Sequence, residues 1–108
     1  MSHYRVLKAA GYRIDEIYLY TLKMWGEKQA KAYINGMFER FQAIADKDIL
    51  WQPIPAEFGV SGYFTRYGKH HIYWKELADG DVGIASVLHQ SMDKENRLRE
   101  DTFEGGRT

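Results

Sequence analysis

At 108 residues the chain is the length of one domain, able to bury a core that is thin for its size. Its 15 basic and 15 acidic side chains cancel, which excludes nucleic-acid binding driven by phosphate neutralisation, and 44% apolar residues exclude a disordered chain. With no cysteine, disulfides and thiolate chemistry are excluded as well.

Met1-Ser2-His3-Tyr4-Arg5 opens into a strand-like run, without an apolar stretch of signal-peptide or membrane-span length. A soluble, cytoplasmic protein that does not enter a membrane is expected. Tyr4 to Lys8 reads as a short first strand. From about Tyr12 the period changes: Ile14, Ile17, Thr21 and Trp25, with Tyr18 beside them, fall at helical steps. Gly26 ends that helix, being free to take a positive φ. It also serves as N-cap of the next, with Gln29 placed to reach back and Trp25 and Ala30 in the two staple positions. The second helix carries Ala30, Tyr33, Ile34, Met37, Phe41 and Ile44 inward and stops at Asp46-Lys47-Asp48.

Residues 49–60 hold both prolines and read as a packed loop around Ile49, Leu50, Trp51, Ile54 and Phe58. Ser61 to Tyr67 and Lys69 to Leu77 read as strands. Asp79-Gly80 signals a hairpin turn, and Val82 to His89 is the best strand in the chain. Asp93 caps a last helix through about Asp101, anchored by Leu98, with residues 104–108 fraying. The expectation is a single α+β domain over residues 1–108 with residues 98–108 as its frayed tail. Its order is β-α-α-β-β-β-α: an N-terminal strand, then an αα-hairpin packed on one face of a small antiparallel sheet.

No catalytic set is evident. His70 and His71 are neighbours on a strand and point to opposite faces, so they do not share a metal. The bland reading is one buried and one half-exposed imidazole. His89 reads as a structural hydrogen bond at a strand end. Four histidines without metal-ligand spacing give no metal site and no cofactor. The first helix is more telling. Tyr12, Leu19, Tyr20 and Leu22 lie off its core stripe, and Phe38 adds to them on the second. Either a partner covers this apolar surface or the 49–58 loop does. On the last strand, alternation puts Gly83, Ala85, Val87 and His89 on one face and Val82, Ile84, Ser86 and Leu88 on the other. The face away from the hairpin is a shallow groove for an added segment, unless the C-terminal helix folds back over it.

Three pieces in order then carry a resemblance: Tyr20-Thr21 with Trp25-Gly26-x-x-Gln29-Ala30, Gly68-Lys69-His70-His71-Ile72-Tyr73, and Val87-Leu88-His89 with Met92-Asp93. From Tyr4 to about Leu98 the chain resembles the ParE branch of the RelE/ParE toxin superfamily. The resemblance implies the toxin of a type II toxin–antitoxin, plasmid-stabilisation module. It implies a hetero-oligomer with a ParD-like antitoxin and DNA gyrase as target. The expected antitoxin contacts are Tyr12, Tyr18, Leu19, Leu22, Phe38, Tyr63, Arg66 and Tyr73.

Two alternatives stay open. A RelE-like ribosome-dependent ribonuclease would use Arg66, His70 and His89. Against it, no Lys or Arg lies between Lys47 and Arg66, and no Tyr follows Tyr73. Where relatives often carry arginines, this chain has Ser86, Ser91 and, in the first meander strand, Phe64. A degenerate, non-toxic member of the family would fit those departures.

Overall fold

The computed structural model describes residues 2–107, with side chains to residue 101. Strand β1 spans Tyr4–Val6, helix α1 Lys8–Trp25 and helix α2 Glu27–Ala45. Strands β2 (Gln52–Pro53), β3 (Tyr63–Tyr67), β4 (His70–Glu76) and β5 (Val82–His89) follow, then helix α3, Lys94–Arg107.

Helix α1 starts four residues before the periodicity suggested. Ala9 and Ala10, both buried, extend the stripe of Ile14, Ile17 and Thr21 backwards by one turn. Thr21 sits in that stripe because its hydroxyl donates to the Ile17 carbonyl at 2.7 Å, leaving no unpaired polar group. Gly26 joins the helices at φ +92°, a value few side chains tolerate, and its N–H donates to Leu22 O. The capping box is absent: α2 has no side-chain cap, and Gln29 does not reach back. Nor is there a staple, because Trp25 ends α1 at the hairpin tip and stays 64% exposed, while Ala30 is buried. Trp25 therefore leaves the core stripe in which it was expected.

The sheet has five strands in the order β1-β5-β4-β3-β2. The meander is antiparallel, but β1 joins β5 in parallel, Tyr4 opposite Val82 and Val6 opposite Ile84. The αα-hairpin is the crossover that permits this. Inside the loop after α2, Gln52 and Pro53 add a minimal edge strand to β3. Proline is tolerated there because an edge residue owes no N–H to a neighbour.

A β-bulge sets the faces of β5. Tyr73 lies opposite Ser86 and Trp74 opposite Ile84, so Ala85 is the extra residue. Strict alternation is broken there. Val82, Ile84 and Val87 join Ile72, Trp74, Phe41 and Ile44 in the core under the hairpin. Leu88 instead joins Tyr73, Ile54 and Leu98 in a second cluster on the opposite face. That face is no empty groove, since α3 folds back across it with Leu98 fully buried. The helix runs on to Arg107 rather than stopping near Asp101, and residues 98–101 are no frayed tail, because Leu98 and Asp101 are buried against the sheet and α1; the fraying expected for residues 104–108 falls on side chains, and on Thr108, outside the described residues. Phe41, fully buried, meets Tyr4 and Phe38 edge-on at 5.6 and 5.4 Å. Cutting it to alanine would cost about 3–5 kcal/mol.

Candidate functional site

The outer face of α1 is apolar and open. Tyr12 and Leu19, two turns apart, are 59% and 63% exposed, and Tyr20 is 62% exposed. Tyr18 and Leu22 are half-buried on the same helix, and Phe38 is at the edge of exposure on α2. The 49–58 loop does not cover Tyr12 or Leu19. The other expected contacts do not join them. Tyr63 packs toward the hairpin core against Trp51 and Trp74. Arg66 is exposed at the end of β3. Tyr73 is 2% exposed beneath α3, where burial pushes its hydroxyl up to about 12. Burial takes Tyr73 off the surface.

Beside α1 lies a cleft of about 450 Å³ between that helix and the ends of β4 and β5. Ile17 and Val87 are its buried residues, Tyr20 and Met92 its exposed apolar ones, and His70 and His89 line it as well. The two imidazoles sit opposite each other in the β4–β5 pairing, ring centres 5.2 Å apart and nearly perpendicular. His70 Nδ1 is 2.7 Å from the Tyr33 hydroxyl, and burial, then His89 and His71, push its pKa down to about 4. His89 Nδ1 accepts from the Ser91 N–H at 3.1 Å, so neutral His89 carries its proton on Nε2. This is the strand-end hydrogen bond that the sequence suggested.

Arg13, the guanidinium lining the cleft, is already committed. Its Nε and Nη2 donate to the two oxygens of Asp101 at 2.9 and 3.1 Å, and Nη1 reaches Glu16 at 3.3 Å. Bonding to Asp101 holds the Arg13 pKa above its ordinary value. Ser86, fully buried, donates to the same carboxylate at 2.5 Å. Thus the position where relatives often carry arginine holds α3 to the sheet here. Ser91 Oγ meets His89 at 2.7 Å, and Phe64 stacks on Tyr73. The three departures are built into the structure.

Arg66, His70 and His89 do come to one end of the sheet. Arg66 bonds to Gly68 O at 3.0 Å and to Gln90 Oε1 at 3.4 Å. The set lacks what phosphate cleavage demands: His70 is a poor base at about 4, and the cleft's own guanidinium is neutralised by Asp101. His71 points the other way, as alternation requires, near the rings of Phe64 and Tyr73. Its Nδ1 is buried without a partner, and burial, with Lys94 and Arg66 nearby, lowers its pKa. Among the described residues no three His, Asp or Glu are grouped to hold a metal, and no helix is long and apolar enough to cross a membrane.

Sequence reasoning missed Arg13, Asp101 and the cleft between α1 and the strand ends. Arg13 gave one signal, standing next to Ile14 at the border of the apolar stripe with Glu16 one turn on. Nothing local linked it to Asp101.

The comparisons agree with this geometry. The family described as "ParE toxin of type II toxin-antitoxin system, parDE" matches residues 4–94. Toxin ParE1 of Caulobacter vibrioides is 30% identical, aligned over 91% of this chain and 99% of that protein. Toxin ParE1 of Mycobacterium tuberculosis is 25% identical over 90% and 98%. Among solved structures, a chain of the chromosomal ParDE TA system from P. aeruginosa shares the fold, with a TM-score of 0.63 at 14% identity, covering 82% of this chain and 96% of that one. The chain belongs to the ParE family of type II toxin–antitoxin systems, and is thus a toxin rather than a catalytic enzyme.

Proposed function

We propose that this toxin is held inactive in the cytoplasm by a ParD-like antitoxin, in a hetero-oligomer, and that the freed toxin poisons DNA gyrase. The observation that carries the antitoxin reading is the open face of α1, where Tyr12, Leu19 and Tyr20 all stand more than half exposed. A chain this small does not keep such a face bare without an occupant. Membership in a family of two-component systems supports an antitoxin as that occupant. The gyrase target follows from the resemblance to ParE toxins and is the finer part of the proposal.

The test is co-expression with a candidate ParD-like antitoxin, then supercoiling by gyrase with the purified toxin. A stable complex, and supercoiling blocked by free toxin but restored by antitoxin, is the expected result. Unimpaired supercoiling together with codon-positioned message cleavage would overturn the gyrase target. Normal growth on induction without antitoxin would mark a non-toxic member.

A further inference from the structure

The neutral net charge hides a separation of charge along the sheet. At the β4–β5 turn stand Glu76, Asp79 and Asp81, and the two aspartates hold Arg5. At the opposite end, by the β3–β4 turn, the cations have no such partners. Arg66 lies directly across from His71 in the β3–β4 pairing, so both share the sheet face turned away from the helical hairpin. Helix α3 folds back over that face, and its first residue, Lys94, bears on the same imidazole. The Arg66 guanidinium meets only neutral acceptors, Gly68 O at 3.0 Å and Gln90 Oε1 at 3.4 Å. Among the described residues no carboxylate lies within ion-pairing distance of Arg66 or Lys94. The acidic residues flanking Lys94 in sequence are engaged elsewhere, Asp93 with Asn96 and Glu95 with Arg99. His71 is half-buried and its Nδ1 has no partner; burial, then Lys94 and Arg66, lower its pKa.

We infer that Arg66, His71 and Lys94 form an anion site on the face away from the hairpin, and that its ligand is the phosphate group of a nucleotide. Two uncompensated cations beside one imidazole repel each other and keep it unprotonated. An oxyanion set among them reverses both effects, because a nearby negative charge favours the protonated ring. The occupied site then offers donors from a guanidinium, an ammonium and an imidazolium, supplied by three different elements. A phosphate, with more than one acceptor oxygen to spare and up to two charges, can meet all three. A carboxylate, with one charge shared by two oxygens, cannot do so as fully. Phe64, half-buried beside His71 with ring centres 6.1 Å apart, adds an aromatic neighbour for the base. The site is one of binding, not cleavage, and it does not depend on the antitoxin face of α1.

The experiment follows the His71 imidazole by NMR in a pH titration of the full chain at constant ionic strength. The chain is taken alone and with inorganic phosphate, deoxythymidine 5′-monophosphate or single-stranded oligodeoxythymidylate. Wild type is compared with Arg66→Gln and Lys94→Gln, each against its own ligand-free midpoint, and thermal melts establish that each variant is folded. The expected result is a rise of about one pH unit or more in the His71 midpoint with the phosphate probes. His70 and His89 should show no comparable rise, and each variant should lose at least half of the effect. A strand that binds tenfold or more tighter than the mononucleotide, with a salt dependence weakened by about one charge in Arg66→Gln, identifies DNA as the source. Equal binding of the two identifies the free nucleotide. A His71 midpoint unmoved by every phosphate probe overturns the site, as does an equal rise in all three histidines. A larger response to a polyglutamate peptide than to any phosphate probe overturns phosphate as the ligand.

Discussion

Arg13 and Asp101 are 88 positions apart in the chain and meet through paired hydrogen bonds of 2.9 and 3.1 Å, with side chains 14% and 9% exposed. Ser86 adds the third contact from the middle of β5. One carboxylate thus ties α3 to both α1 and the sheet. Replacing Asp101 by alanine leaves a largely buried guanidinium with only the exposed Glu16 as its anion, and the expected cost is about 2–4 kcal/mol. Urea denaturation gives the magnitude. Amide exchange should locate the loss, with protection falling in α3 before the hairpin. Uniform loss across the domain would mean that α3 is no separable unit.

The pH response follows from His70. Its pKa is about 4 in the fold against an ordinary value of 6.5, so the unfolded chain takes up the proton first as the pH falls. Stability is complete above pH 6.5 and declines between 6.5 and about 4. His71, also lowered, acts in the same direction. Between pH 7 and 5 the loss should be on the order of 1–2 kcal/mol, allowing for partial solvent access. His70→Gln should flatten most of this slope in urea melts. An unchanged slope would place the titration elsewhere.

Gly62 is the tightest joint of the loop after α2. Its φ is +143°, and a Cβ there would come within 2.6 Å of the Trp74 carbonyl oxygen. Backbone cannot give way as a side-chain tip can. Gly62→Ala should cost about 1–3 kcal/mol or more. The denaturation midpoint checks this; a shift within error would show that the strand relaxes freely.

On the open face the expectation is reversed. Tyr12→Ala and Leu19→Ala remove exposed groups, so stability should stay within about 0.5 kcal/mol. Binding of the antitoxin should weaken severalfold or more, because truncating an exposed aromatic or aliphatic anchor is what interfaces punish. Titration calorimetry separates the two effects. Loss of stability without loss of binding would assign these residues to the fold.

The helical hairpin was legible because its signal is local: Ile14, Ile17 and Thr21, and then Ala30, Met37, Phe41 and Ile44, repeat at the helical period and are buried as that period requires. The Asp79-Gly80 turn was legible for the same reason, with Gly80 at φ +90° and the Asp79 side chain accepting from the Asp81 N–H. Trp25 misled because periodicity does not report where a helix leaves the sheet beneath it. The parallel place of β1 and the contact of Asp101 with Ser86 are non-local, and no spacing encodes them. The exposed Tyr12 and Leu19 could be found by subtraction from the core stripe. The adjoining cleft could not, since its walls come from α1, two strand ends and the turn before α3.

One extra residue decides which half of β5 serves which layer. Without the bulge at Ala85, every side chain on one half of the strand would swap sides. Ser86 would roll toward the hairpin and Val87 toward α3. Asp101 would lose its hydroxyl donor, and the hairpin interior would trade an isopropyl group for an alcohol. The bulge is thus what lets one strand hand Ser86 to Asp101 and keep Val87 under the hairpin, and deleting Ala85, the extra residue itself, would leave both side chains on the faces they now hold.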